Sequence, residues 1–304
     1  MSLKTSDRSS RQIVPPASAR GLSPAERWPH AHAVPHVLIK SEAAGVQLNL
    51  GDLWSYRELL YFLTLRDIKV RYKQTLMGAA WVIVQPLMLM LIVTLVFTRF
   101  ARLEVGAMPY PLFAYSGLLL WTFFSSAVAN STNSLTSNTN LITKVYFPRL
   151  FIPAAAVAAG LVDLGIASLL LAALAVYYRV HPTWSLALLP VFVALLTLLA
   201  LGDGVLVSAL TVKYRDLRHA LPFILQFWMF ASPVIYPATA VPPRWKWLVT
   251  FNPLAGALEG FRASLSGGEF DRRAVFVSAL IALALAAVAV YVFRRAEDTF
   301  ADVI

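Results

Sequence analysis

The sequence predicts an all-α integral membrane protein of six transmembrane helices, with both termini on the cytoplasmic side. Three observations carry this prediction. Of 304 residues, 58% are hydrophobic and only 14% are charged, whereas a soluble domain carries about 25% charged residues. Six apolar runs approach or exceed the roughly 20 residues that cross a bilayer. The basic residues behind a net charge of +10 lie mostly in the first 73 residues and in short segments beside those runs. A basic soluble chain would suggest nucleic acid; this placement instead matches membrane orientation and anionic headgroups, and no nucleic-acid partner is expected.

Residues 1–45 are rich in Ser, Pro, Ala and Arg and are expected to form a flexible cytoplasmic arm. Residues 46–76 form the expected interface-helix region, and residues 77–304 the six-span domain. The stretch LWSYRELLYFLTLRDIKVRYKQT places Tyr56, Leu59, Leu60 and Leu63 on one helical face, followed by Arg66, Lys69, Arg71 and Lys73. Such a helix is expected to lie flat on the cytoplasmic headgroups. No secretory signal peptide is expected, because the first run long enough to span begins near Met77 without a preceding small-residue cleavage site.

The first span is Met77–Thr98, without a charge. The second is Tyr110–Asn130, and the third, Leu150–Tyr178, is interrupted only by Asp163. The fourth, Trp184–Val212, is interrupted only by Asp203. The fifth, Ala220–Tyr236, is short and carries prolines at 222 and 233. The sixth is Ala274–Phe293. With the N-terminus inside, 18 of the 26 Lys and Arg fall on the inner side and eight on the outer, as the positive-inside rule requires. The segment Ala238–Arg273 is too long for a turn. Its stretch Pro253–Leu265 is expected to form a re-entrant gate helix, which is tolerated only if buried in protein or lining a wet cavity.

Several chemistries have no sequence support. Cysteine is absent, so there is no disulfide framework and no thiolate metal site. No phosphate loop of the G-x-x-x-x-G-K-[ST] type occurs, so the chain holds no ATP site of that kind. No catalytic motif or metal-ligand spacing is found, and neither catalytic nor metal residues are assigned. His30, His32 and His36 read as chance in a flexible arm. Asp163 and Asp203, with no basic partner at matching depth in any span, read as structural hydrogen-bonding groups; the alternative is a proton relay.

Five stretches resemble a known family. They are RDIKVRYKQTLMGAAWVIVQP (66–86), PYPLFAYSGLLLWTFFSSAVANS (109–131), NTNLITKVYFPRLFIP (138–153), VKYRDLRHALPFILQFWMFASPVIYP (212–237) and FNPLAGALEGFR (251–262). In this order they resemble the ABC-2 type permeases that export polysaccharides and polyol phosphates, among them the lipopolysaccharide O-antigen exporters. The resemblance covers roughly residues 53–295. It leaves the arm 1–45 without a family pattern and Asp203 unexplained. It implies a homodimer in the bacterial inner membrane, served by two separate ATPase subunits that hold ATP and Mg. The implied cargo is a glycan carried on a polyprenyl pyrophosphate.

On residues alone, the segment 130–150 supports a short helix, capped by Ser134 or Ser137 and sharing one face among Leu135, Asn138, Ile142 and Val145. It would either dock a partner or rest on the membrane. The resemblance implies that it couples to the ATPase through Asn138, Leu141, Ile142, Lys144, Val145, Tyr146 and Arg149. A second inner loop, with Lys213, Arg215, Asp216 and Arg218, is expected to be the other contact. Sugars stack on aromatic rings and hydrogen-bond to amides, so pathway candidates are Trp81, Gln85, Tyr115, Trp121, Phe223, Gln226, Phe227, Phe230 and Tyr236. Phe223, Gln226 and Phe227 share one face. Arg66, Lys69, Arg71 and Lys73 are candidates for the carrier's pyrophosphate, the alternative being attraction to bulk anionic lipid. Competing readings are an ABC-2 exporter of a small lipid or drug, a polyprenyl-linked glycosyltransferase and a proton-coupled flippase.

Overall fold

The computed structural model describes residues 56–73, 78, 80–98, 108–144 and 147–303. The expected arm 1–45, the chain up to Ser55, and the coupling candidates Val145 and Tyr146 lie outside the described residues. The described residues fold as helices: α1 Arg57–Tyr72, α2 Ala80–Val96, α3 Tyr110–Ser137, α4 Thr139–Lys144, α5 Phe151–Tyr177, α6 Leu189–Lys213, α7 Leu217–Ala231, α8 Lys246–Thr250, α9 Pro253–Ser266 and α10 Arg272–Val303. A 3₁₀ turn, Trp184–Leu188, leads into α6. Among the described residues, four helical stretches are long and apolar enough to cross a membrane: Tyr110–Ser137, Phe151–Tyr177, Trp184–Lys213 and Arg272–Glu297. Helices α2 and α7, expected to be the first and fifth spans, have 17 and 15 residues. At about 1.5 Å per residue they fall short of a hydrocarbon core about 30 Å thick.

Helix α3 is the centre of the bundle. Its most apolar window is 78% buried, against 17–33% for the other three long helices. Helices α5 and α6 pack on it, and α10 packs on α6. On the α5 face turned to α3, Gly160 meets Phe123 and Ala127 of α3, and the buried Ala156 and Ala159 keep this part of α5 narrow. Small residues let helix backbones approach where lipid offers no hydrophobic driving force.

The end of α3 departs from the sequence expectation. Residues 130–137 read as a polar loop, yet the helix continues to Ser137. Its polar side chains are satisfied by their own backbone: Asn133 donates to the Ala129 carbonyl at 2.9 Å, Ser134 to Ser131 at 2.6 Å and Ser137 to Ser134 at 3.1 Å. Ser and Asn can stay helical when they bond back in this way. Ser134 and Ser137 therefore cap no new helix, and α4 shrinks to six residues.

The break after α7 is held by side chains from three directions. Pro233 ends the helix and leaves Ser232–Ile235 buried in non-helical backbone. Arg262 of α9 donates to the Pro233 carbonyl at 2.6 Å and also to the Val234 carbonyl. Tyr110 donates to the Ile235 carbonyl at 2.8 Å. The Asn252 amide donates to Ser232 at 2.8 Å, while its oxygen accepts from the Leu254 N–H and from Trp228. Helix α9 is thus buried in protein against α6, α10 and α3, the condition set for the segment 253–265. Pro222 lies inside α7, which starts five residues earlier at Leu217 and three before the expected fifth span.

Helix α1 does not keep its apolar face for lipid. Leu59, Leu60 and Leu63 turn into a second apolar cluster with Ile142, Phe147, Phe151, Ala155 and Phe293. Eight residues beyond Leu63, Arg71 reaches Asp163, eight residues beyond Ala155. Helix α1 therefore runs alongside the first half of α5 in the same direction. Tyr56, expected on the buried face, is exposed.

Two predictions follow from this packing. A methyl group at Gly260 would overlap the Phe192 ring, whereas one at Gly165 meets open space. Gly260→Ala should cost about 1–3 kcal/mol and lower the melting temperature in detergent, with Gly165→Ala unchanged or raised. Arg262→Ala strands two buried carbonyls and should cost about 2–5 kcal/mol. Arg262→Lys should recover only part of this; an Arg262→Ala protein that melts like wild type removes the proposed role.

Candidate functional site

A cavity of about 260 Å³ opens where the end of α1 and the start of α2 meet the middles of α3 and α5. Arg71, Tyr72, Trp81, Gln85, Thr122 and Asp163 line it, with apolar walls from Pro86, Leu119 and Phe123. Arg71 Nη1 and the Tyr72 hydroxyl both donate to the Asp163 carboxylate. The Arg71 and Asp163 side chains remain 27% and 15% exposed, so the pair is reachable from the cavity. A guanidinium, a phenol, an indole, an amide and a hydroxyl around one space suit a ligand with an anionic group and a sugar-like face.

This arrangement corrects one expectation and divides two others. Asp163 has a basic partner after all, supplied by α1 and not by a span. The phosphate-binding candidates separate: Arg71 takes Asp163, Arg66 bonds its neighbour Asp67 at 2.8 Å, and Lys69 and Lys73 are exposed. The pathway candidates separate as well. Trp81 and Gln85 line the cavity. Tyr115 is fully buried, donating to the Ala167 carbonyl at 2.8 Å, and Trp121 is buried 5.8 Å from the Phe124 ring. Tyr115 and Trp121 are core residues, because α3 is surrounded by other helices. Phe223 and Phe227 are each 76% exposed, and Phe230 and Gln226 are exposed with them. This face of α7 lies opposite the buried Leu221 and Leu225. Tyr236 is half-buried and donates to the Phe230 carbonyl at 3.0 Å. Asp203 has a buried oxygen without a partner among the described residues.

At the predicted inner end, the coupling face is reversed. Leu135 and Ile142 are buried in the second apolar cluster and Leu141 packs against it, so the face expected to dock a partner is turned into the protein. Asn138 closes the end of α3, its amide donating to the Ser134 carbonyl at 2.8 Å. Lys144 ends α4. What faces outward is Asn133, Ser137 and Asn140. Arg149 is tied to the far end of α10: its backbone N–H donates to Glu297 Oε1 at 3.1 Å and its guanidinium donates to the Glu297 carbonyl. Lys213, Arg215, Asp216 and Arg218 are exposed. Arg218 donates to Thr136 Oγ1 at 2.7 Å, which joins the start of α7 to the end of α3; no ion pair between Arg218 and Asp216 is formed among the described residues.

Sequence reading missed Tyr72, Thr122 and Glu297. Nothing in their local spacing marks them; each matters only through a contact more than 40 positions away or through the cavity wall.

Comparison with known proteins identifies the family. The ABC-2 type transporter family matches residues 58–266. The chain is 29% identical over 254 residues to the O-antigen export system permease protein RfbA of Myxococcus xanthus, covering 83% of this chain and 97% of that protein. It is 28% identical to the protein of the same name from Klebsiella pneumoniae, covering 85% and 98%. It is 23% identical to the polysialic acid transport protein KpsM of Escherichia coli, covering 68% and 80%. With most of the matched segment present as the helices described above, the chain belongs to the ABC-2 type transporter family and is a membrane transport protein.

Proposed function

We propose that this chain is the permease of an ATP-driven exporter that moves a polyprenyl-linked glycan outward across the bacterial inner membrane. The observation that carries the reading is the cavity holding Arg71, Tyr72, Trp81 and Gln85. Its cation and phenol suit the carrier's phosphate, and its indole and amide suit the first sugar. The names of the relatives, which specify O-antigen and polysialic acid, support a glycan over a small drug.

In this reading six helices cross the membrane with both termini inside. The short helix α7 completes its crossing through the buried segment 232–235, and α2 through Phe97 and Thr98. Helix α9 is the re-entrant gate, and residues 46–76 form the interface region before the spans. Two copies associate, and the exposed face with Phe223, Gln226 and Phe227 borders the path between them. Two ATPase subunits, which hold ATP and Mg, dock on Asn133, Ser137, Asn140 and the 213–218 loop. The chain itself carries no nucleotide.

The orientation is tested with single cysteines, since the natural sequence has none. A membrane-impermeant maleimide applied to spheroplasts should label Trp184→Cys and should reach Asn140→Cys only after lysis. The opposite pattern sinks the topology. For transport, Trp81→Ala and Gln85→Ala should each slow export of the surface glycan roughly five- to tenfold, the loss of one contact worth about 1 kcal/mol. Tyr115→Phe should lower the melting temperature and leave export per folded protein unchanged. Export that persists after deletion of the partner ATPase rules the reading out.

A further inference from the structure

Asp163 is the residue that the proposed transport cycle leaves without a task. It sits twelve residues into α5, about 18 Å from its start at 1.5 Å per residue, and an ionised group at such depth is costly unless it is paired. Its partners, Arg71 and Tyr72, are adjacent residues at the end of α1. They are also the two groups in the cavity best suited to an oxyanion. A carboxylate therefore takes the donors that a phosphate would need.

We propose that Asp163 is a built-in stand-in for the carrier's diphosphate, and that an incoming diphosphate takes Arg71 and Tyr72 from it and thereby moves α1 off α5. This rests on the glycan-exporter reading and adds how cargo is sensed. The exchange is favourable in sign because a diphosphate carries more charge and more acceptor oxygens than one carboxylate, and Arg binds both in the same forked geometry. It also has a mechanical consequence. A diphosphate at Arg71 brings a like charge beside Asp163 in a poorly solvated site, and that repulsion is relieved by separating the two helices.

Helix α1 is placed to pass the displacement on. Its other half inserts Leu59, Leu60 and Leu63 into the cluster that also contains Ile142 of α4 and Phe293 of α10. That same α4 segment lies beside the outward groups assigned above to the ATPase. One rigid helix thus has its end on the cavity and its first half on the coupling segment. The phosphate and the ATPase act on each other through the position of α1, and each needs a differential contact with one of its two positions. The Arg71–Asp163 pair supplies that difference at the cavity.

The test uses the full chain with its partner ATPase in nanodiscs. Three probes are compared: polyprenyl diphosphate, phosphatidylglycerol and inorganic pyrophosphate. Asp163→Asn, which keeps a hydrogen-bonding group for Tyr72 but removes the competing charge, should bind polyprenyl diphosphate about tenfold tighter or more. Arg71→Gln should bind it at least that much more weakly. Independently of any Asp163 variant, spin labels at Val70→Cys and Leu169→Cys, both exposed sites, should report a lengthened α1–α5 distance when polyprenyl diphosphate is added to otherwise wild-type protein. The same pair in Asp163→Asn should show the lengthened distance without ligand.

Asp163→Asn that only lowers the melting temperature, with affinity unchanged, makes the pair a structural bridge and overturns the proposal. So does an α1–α5 distance that stays fixed at saturating polyprenyl diphosphate. A response of equal size to phosphatidylglycerol assigns the site to bulk anionic lipid, and one to pyrophosphate alone assigns it to a free anion; either overturns it. Failure to bind polyprenyl diphosphate at all removes the glycan-carrier reading as well, whereas normal binding with an inert Asp163 removes the latch alone.

Discussion

A guanidinium with almost no access to solvent lies where the chain after α7 stops being helical. Arg262 reaches it from α9, holds the Pro233 and Val234 carbonyls, and rests 3.6 Å over the Phe113 ring of α3. A proline-broken segment in a membrane protein exposes carbonyls that no water can satisfy, at a cost of several kcal/mol for each. The fork of an arginine answers two of them at once. Gly117 of α3 is the complement, because a methyl group there would occupy the guanidinium's place. Through this one side chain α3, α7 and α9 are fixed relative to each other. The buried helix before α10, the bent end of α7 and the central helix stand or fall together.

The opposite end of the bundle is organised by packing instead of by a charge. The second apolar cluster joins α1, α4, the start of α5, the end of α6 and α10. It explains why the apolar face of α4 is turned inward. A six-residue helix with unsupported Leu and Ile side chains is far below the length at which a helix is stable alone, so burial is what makes α4 a defined element. Asn133, Ser137 and Asn140 are left outward as a polar surface. The links from Arg149 to Glu297 and from Arg218 to Thr136 tie that surface to α10 and α3.

Between these two ends, the cavity is the place where features read separately from the sequence meet. Arg71 entered as a headgroup group, Trp81 and Gln85 as pathway groups, and Asp163 as an isolated acid. Their convergence follows from α1 running beside α5. That register depends on contacts roughly 90 positions apart, which leave no trace in the periodicity of either segment. Tyr115 and Trp121 show the converse. An aromatic on a central helix and one on a wall have the same local sequence signal, and only the surrounding helices distinguish them.

The sequence by itself determined that the chain is helical and membrane-embedded, near which residues the long helices begin, and that Pro253–Leu265 is helical, as the helix Pro253–Ser266 is. These follow from local quantities: run length, proline position and the scarcity of charge. It also grouped Phe223, Gln226 and Phe227 on one face of α7, because a spacing of four residues fixes a shared face whatever packs behind it, and the three are exposed together. Tertiary structure alone decided which polar groups are partnered, which aromatics are core and which way α4 faces. Low dielectric makes each buried polar group depend on one specific partner, and that partner's identity is set by the packing of distant helices.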